Sequence, residues 1–321
     1  MKKVSLLLAY LSLFLLVSIH LSAQQRETEA QNSSEISSDH GNADAPTHVN
    51  LARGNEAHVS GGSRTSANMT YHGGPIMQNV VVEPIFWGSS WPSYSGDKIS
   101  GMDLWYSGIG GSQYARTTDE YTQSNGARVT TQIAYTKGTY VIDGTAAPSG
   151  APATSTILNE VCKVIKTPQT NGYYPVYIDQ PRGSAGYCAW HSSGSCNGVT
   201  VQFAFFFDLD GDAGCDPASS VSGQSQGLQA LANVSGHELS EARTDPHGNA
   251  WYDSRGNENG DKCAWYFGGP FVTFSDGTNW KIQGNWSNYA FSNNLGYANK
   301  SGQHGCIDGT NYQISTTVAP F

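Results

Sequence analysis

The sequence predicts an α+β domain in which a twisted mixed sheet packs on a few helices, loop-rich and cross-linked by disulfides. Three observations predict it. Val199 to Phe207 (VTVQFAFFF) is nine apolar-rich residues between Gly198 and Asp208, the pattern of a central strand buried on both faces. Leu228, Leu231, Leu239 and Ala242 fall at offsets of 0, 3, 11 and 14, which lines up one apolar stripe on a helix. Six cysteines and 37 glycines in a chain that is only 13% charged describe a loop-rich extracellular protein rather than a helical bundle.

Taken in order, the chain begins with Lys2 and Lys3, an apolar run from Val4 to Ile19, and Leu21-Ser22-Ala23. Residues 1–23 therefore read as a secretory signal peptide, and no second apolar stretch of that length follows to hold the mature chain in a membrane. The expected location is outside the cytoplasm: extracellular, cell wall or periplasm. Losing two lysines takes the net charge from −9 to −11, which excludes nucleic acid as a natural partner. Residues 24–68 are polar and without periodicity, so they are expected to be a disordered linker or pro-segment, with 69–321 forming a single α+β domain.

Within that domain Val80 to Trp87 reads as a strand interrupted or edged by Pro84. Residues 95–122 suggest two short helices parted by Gly110-Gly111, and Arg128 to Thr136 alternates as a strand. Thr154 is a candidate N-cap for a helix carrying Ile157, Leu158, Val161, Val164 and Ile165. Tyr174 to Ile178 is a strand, whereas Tyr187 to His191 is placed in a Gly/Ser-rich loop. Asp208-Leu209-Asp210-Gly211-Asp212 has the alternating carboxylates of a calcium loop, but Ala213 and Ser219 stand where an EF-hand needs Gly and Glu. Phe271 to Phe274 and Asn279 to Gln283 make a hairpin across Asp276-Gly277.

The chemistry concentrates in His237-Glu238-Leu239-Ser240-Glu241, near the end of the helix that carries the Leu228–Ala242 stripe. Residues four apart share one helix face, so His237 and Glu241 can both reach one ion. This is the spacing of the HExxH zinc-hydrolase helix, with a carboxylate in place of the second imidazole, and Glu238 in the position of the general base on metal-bound water. Pro246 ends the helix near Thr244. The third ligand must come from elsewhere: Glu258 ranks first, Asp261 next, with His247, Asp245 and His191 as alternatives. Six cysteines allow 15 pairings, so three bridges are expected and none is named. Cys188-x-x-His191 resembles half a zinc site without its other half.

Tyr71-His72-Gly73-Gly74-Pro75 with the following Val-rich strand and Trp87, the Cys188/His191 pair, and HELSEARTDP through NAWYD, Glu258, Asp261 and Cys263 together resemble the Exordium (phosphate-induced protein) family, secreted proteins known from plant cell walls. The resemblance covers most of the chain after residue 70 and implies an extracellular protein linked to growth or the wall. The order strand, His-bearing loop, central strand, motif helix is similar to the zincin metallopeptidases, a fold-level analogy.

The resulting expectation is a secreted metal-dependent hydrolase, zinc metallopeptidase-like, acting on a peptide or cell-wall substrate. Glu238 is its catalytic base and His237, Glu241 and Glu258 hold Zn2+, with Ca2+ as a second candidate ion. Tyr252 or His191 would stabilise the oxyanion. Two alternatives compete: a non-catalytic wall or carbohydrate-binding protein that stacks sugars on Trp251, Trp265, Trp280 and Trp286, and a glycosidase pairing Glu238 with Asp253 or Glu258.

Overall fold

The structure, a computed structural model, describes residues 44–55, 68–218 and 221–310. The expected signal peptide and much of the 24–68 segment lie outside the described residues. The chain divides at Ala45/Pro46, and the larger unit, Pro46–Phe321, holds every element named here.

The centre of the fold is an eight-stranded mixed sheet. Its strands are β1 (His48–Leu51), β3 (Val80–Val82), β4 (Ile85–Trp87), β5 (Ile133–Ala134), β6 (Val141–Asp143), β7 (Gly172–Pro181), β8 (Tyr187–Cys196) and β9 (Val199–Asp208), while β2 (Thr70–Tyr71) stands outside it. The order runs β1-β8-β9-β7-β3-β5, and β4 joins β7 to β6. β7 and β9 pair in parallel, so the chain must cross over between like ends; β8 and β9 pair antiparallel as a hairpin. β9 is the apolar run seen in the sequence, and Val201 through Phe207 are buried without a break. Pro84 cannot donate to a ladder, and it separates β3 from β4, both of which pair with β7.

Three helices complete the layer: α1 (Lys98–Ile109), α2 (Thr154–Val164) and α3 (Gln226–Thr244). α3 packs on β8 and β9 on one side and on α1 on the other. It is buried along nearly its whole length rather than on one stripe, because loops cover the face that the apolar spacing leaves polar. Downstream, β10 (Trp251–Tyr252) pairs with β2, β11 (Val272–Thr273) and β12 (Asn279–Trp280) form the expected hairpin, and a three-stranded sheet of residues 285–286, 297–298 and 304–307 follows. The α+β fold with a few helices is as the sequence predicted. Three disulfides tie its loops: Cys162–Cys196, Cys188–Cys215 and Cys263–Cys306.

Four local expectations are corrected. Tyr187 to His191 is the first half of β8, not a loop; Asn197 (φ 54°) and Gly198 (φ 81°) are both left-handed, the two-residue turn that closes a hairpin between twisted strands. His48–Leu51, inside the segment expected to be linker, pairs antiparallel with β8, His48 opposite His191 and Asn50 opposite Ala189, because β8 offers an edge with open hydrogen-bonding groups. Of Arg128 to Thr136, Ile133–Ala134 alone is strand, the preceding amides and carbonyls being taken by Gln78, Val80 and Gly111. Thr154 is the first helical residue of α2, and Ala153 holds the cap position.

Candidate metal centre

α3 is held in place at both ends. The Ser225 hydroxyl accepts from the Leu228 amide at 3.1 Å, and the Asp97 carboxylate accepts from both the Ser225 amide and hydroxyl, so the first turn is capped and anchored to the start of α1. At the far end the Asp245 amide donates to the Glu241 carbonyl, and Asp245 Oδ1 accepts from the Asn249 and Ala250 amides, turning the chain at Pro246. His237 and Glu241 consequently sit one turn apart in a rigid, buried helix.

Their facing atoms are close without being hydrogen-bonded. His237 Nε2 lies 3.1 Å from Glu241 Oε1, yet Nε2 has no partner in hydrogen-bonding alignment. Two ligands of a tetrahedral ion bound at roughly 2.0–2.1 Å stand about 3.3 Å apart and point at the ion rather than at each other, and this pair has that separation. On the other side of the ring, Gln283 Nε2 lies 2.9 Å from His237 Nδ1 and donates to the Gly260 carbonyl, while Gln283 Oε1 accepts from the Trp265 amide. With the amide so placed, the ring proton sits on Nε2. An ion bound there takes the place of that proton.

The third member of the group is Asp261. Its Oδ1 is 3.7 Å from His237 Nε2, and its backbone amide donates to Glu241 Oε1 at 3.0 Å. Glu258, the residue ranked first from the sequence, joins a different set. The segment 258–263 docks on the last turns of α3: Asn259 Nδ2 donates to the Ser240 carbonyl and to Thr244 Oγ1, the Cys263–Cys306 bridge fixes its end, and a 3-10 turn starts at Asp261. Gly260 makes the approach feasible, since a Cβ there would lie 2.9 Å from both Glu241 Oε1 and His237 Nδ1. The turn decides which of the two carboxylates, three residues apart, meets the helix.

Glu258 Oε2 instead accepts from His48 Nδ1 at 2.6 Å and lies 3.2 Å from His191 Nε2. His191 Nε2 also lies 3.7 Å from Glu241 Oε2. Three groups of side chains with metal-ligating atoms within 4.8 Å of one another result: His237, Glu241 and Asp261; His191, Glu238 and Glu241; and His48, His191 and Glu258. They share His191 and Glu241, so they form one continuous cluster. Neither oxygen of Glu238 has a partner, although the residue is 0% exposed.

Burial and crowding dominate the electrostatics. Burial first, and then the charges of Glu241, Asp261 and Glu258, push Glu238 well above the carboxylate range. Glu241 rises through burial and Glu258, and Asp261 through burial and Glu241. Burial pulls His237 down, against the pull of Asp261 and Glu258. Glu258 is the exception: burial would raise it, but His191 and His48 outweigh burial and hold it at about 2. Burial would lower His48, and the Glu258 hydrogen bond and charge raise it to about 9. The result is one His–carboxylate ion pair beside three carboxylates whose neutral forms are favoured by burial and mutual repulsion, a balance that a cation among them would reverse.

The remaining candidates fall elsewhere. His247 meets Gln202 at 3.3 Å, and Asp245 is committed to the turn after α3. Tyr252 stacks on His72, with ring centroids 3.6 Å apart. Asp253 accepts from Lys262 at 2.9 Å. Cys188 is bonded to Cys215 and is no thiolate ligand. The calcium-like carboxylates face cations: Asp208 and Asp210 each accept from Lys98 at 2.7 Å, and Asp212 forms a two-armed pair with Arg182. Trp265, Trp280 and Trp286 are core residues rather than a sugar platform. Sequence reasoning missed His48 altogether and left His191 among the alternatives, and the Asn197-Gly198 dipeptide was the mark that would have placed His191 on a strand.

Fold and site together define a disulfide-braced α+β protein with a buried His/carboxylate cluster suited to metal ions. No known protein family, curated protein or solved structure matches the chain. Among the described residues no helix is long and apolar enough to cross a membrane, and the three disulfides fit an oxidising compartment.

Proposed function

We propose that the protein is a secreted metal-dependent hydrolase, peptidase-like in its chemistry and related to the Exordium proteins, with a divalent ion on His237, Glu241 and Asp261. The observation that supports it above the others is the convergence of His237 Nε2 and Glu241 Oε1, 3.1 Å apart and mutually unbonded, beside a Glu238 carboxylate with no partner of its own. The ion chosen is zinc, which accepts one imidazole and two carboxylates; when bound it polarises a carbonyl and lowers the pKa of water. Glu238, one residue along the helix, takes the proton from the attacking water. Gln283 orients the His237 ring, and Asn259 and the Cys263–Cys306 bridge hold Asp261 against the helix.

A purified secreted chain is expected to carry zinc, to lose it in His237→Ala, and to cleave an unstructured protein such as casein. Glu238→Gln should keep fold and metal while hydrolysis falls by at least about a hundredfold. Full activity in Glu238→Gln would remove it as the base. A second reading, an extracellular protein with a purely structural ion, draws on the 0% exposure of Glu238; it is the one to keep if metal is bound and no peptide or wall polymer is turned over.

A further inference from the structure

We propose that the cluster holds two divalent cations bridged by Glu241. The inference rests on the metal reading above and extends it from one ion to two. The two oxygens of Glu241 face different imidazoles: Oε1 lies 3.1 Å from His237 Nε2, and Oε2 lies 3.7 Å from His191 Nε2. A carboxylate placed in this way spans two ions, and two-metal hydrolytic sites hold theirs roughly 3.5–4 Å apart. The first ion takes His237, Glu241 Oε1 and Asp261. The second takes His191, Glu241 Oε2 and Glu238, whose ligand atoms lie within 4.8 Å of one another; Glu258 Oε2, 3.2 Å from His191 Nε2, groups with His191 and His48 instead.

The separations sort ligands from supporting groups. Co-ligands of one ion stand about 3.3 Å apart, a value bracketed by 3.1 Å for His237 and Glu241 and 3.7 Å for both His191 with Glu241 and His237 with Asp261. The 2.6 Å between His48 Nδ1 and Glu258 Oε2 is too short for co-ligands and is a hydrogen bond. His48 is therefore a positioning residue that orients Glu258 from the neighbouring strand β1. Charge is compatible with two ions: with Glu258 paired to His48, the carboxylates of Glu238, Glu241 and Asp261 remain for the cations to neutralise.

An independent observation points into the same space. Glu258 Oε1 and both Glu238 oxygens are buried without partners, and Glu238 has an oxygen within 4.8 Å of the ligand atoms of His191 and Glu241. A fully buried carboxylate with neither oxygen partnered, set against the ligand atoms of His191 and Glu241, fits a cation between them. With a second ion bound, Glu238 would complete its ligand set; with the first ion alone it would remain free to take a proton from water.

The test is metal stoichiometry on the full secreted chain, stripped with chelator and titrated with Mn2+, with mass-spectrometric metal counts after gel filtration and electron paramagnetic resonance on the loaded protein. Wild type should bind two ions that show the broadened, exchange-coupled spectrum of a bridged pair. His191→Gln and Glu238→Gln should each keep one uncoupled ion, as should Asp261→Asn. Circular dichroism and melting curves identify any variant that fails to fold, in which case the coupled spectrum of wild type alone decides. One ion in wild type, kept in His191→Gln and lost in His237→Ala, would overturn the second site and leave the single-ion reading standing. No bound ion in wild type would sink both, and two ions without coupling would rule out the Glu241 bridge.

Discussion

Gly260 shows how one residue sets the chemistry of the cluster. It has no side chain at the point where the 258–263 segment crosses α3, and the backbone comes close enough for the Asp261 amide to reach Glu241 Oε1. In Gly260→Ala the new methyl meets His237 and Glu241 at 2.9 Å, and both must move. The metal-free chain is expected to lose about 1–3 kcal/mol, as overpacked sites do, and metal affinity to fall at least about tenfold because ligand positions matter to within about half an ångström. Competition against a coloured chelator measures the second effect, and an unchanged affinity would show that the loop does not supply a ligand. The sequence named His237, Glu238 and Glu241 because spacing within one helix is local geometry. It did not choose between Glu258 and Asp261, since that choice depends on a turn whose direction is set by Asn259 docking and a disulfide to residue 306.

At the scale of elements, the strands and helices divide by how much of their pattern is local. β9 and α3 carry unbroken apolar runs or stripes, and both appear where the periodicity puts them, β9 to within one residue and α3 to within two at each end. β8 carries Ser192, Ser193, Gly194 and Ser195, a composition that reads as loop, and becomes a strand because β9 and β1 take its hydrogen bonds on both sides. β1 is legible even less, being four residues in a polar stretch. Without β8 there would be nothing for it to pair with. α2 and β6 are joined by a cluster that yields a pH prediction. Lys163 donates to both Asp143 and Glu160, and Glu160 is raised to about 7 by burial first and then by the neighbouring Asp143. A carboxyl whose folded pKa is raised stabilises most below its unfolded value of about 4.5, and that contribution is lost as pH rises through about 7. Stability of the wild type should therefore fall across that window, and Glu160→Gln should flatten the slope. Urea melts at pH 4.5, 6 and 7.5 would show it; parallel pH profiles for the two proteins would refute it.

For the molecule as a whole, three bridges act on the sheet and the site together. Cys162–Cys196 ties α2 to the end of β8, Cys188–Cys215 ties β8 to the loop after β9, and Cys263–Cys306 closes 43 residues around the segment that carries Asp261. Loop-closure entropy for a span of that size is about 4 kcal/mol, a large part of the stability of an ordinary domain. The double substitution Cys263→Ser/Cys306→Ser should lower stability by that order. It should also weaken metal binding more than Cys162→Ser/Cys196→Ser, which touches no part of the cluster. Equal losses of metal from the two variants would mean that the 258–263 segment is held by something other than its bridge.

The sequence alone determined the class of fold, the motif helix, the central strand and three of the residues at the site, because each is written in a period of two or of 3.6 residues, or in a spacing along one helix. Tertiary structure alone decided the partners of the cysteines, the exchange of Glu258 for Asp261, and the arrival of His48 and His191 beside Glu241. Those residues come from strands 189 and 46 positions before His237 along the chain, and nothing local records which edges a sheet will bring together or which buried charges will then have to share a cation.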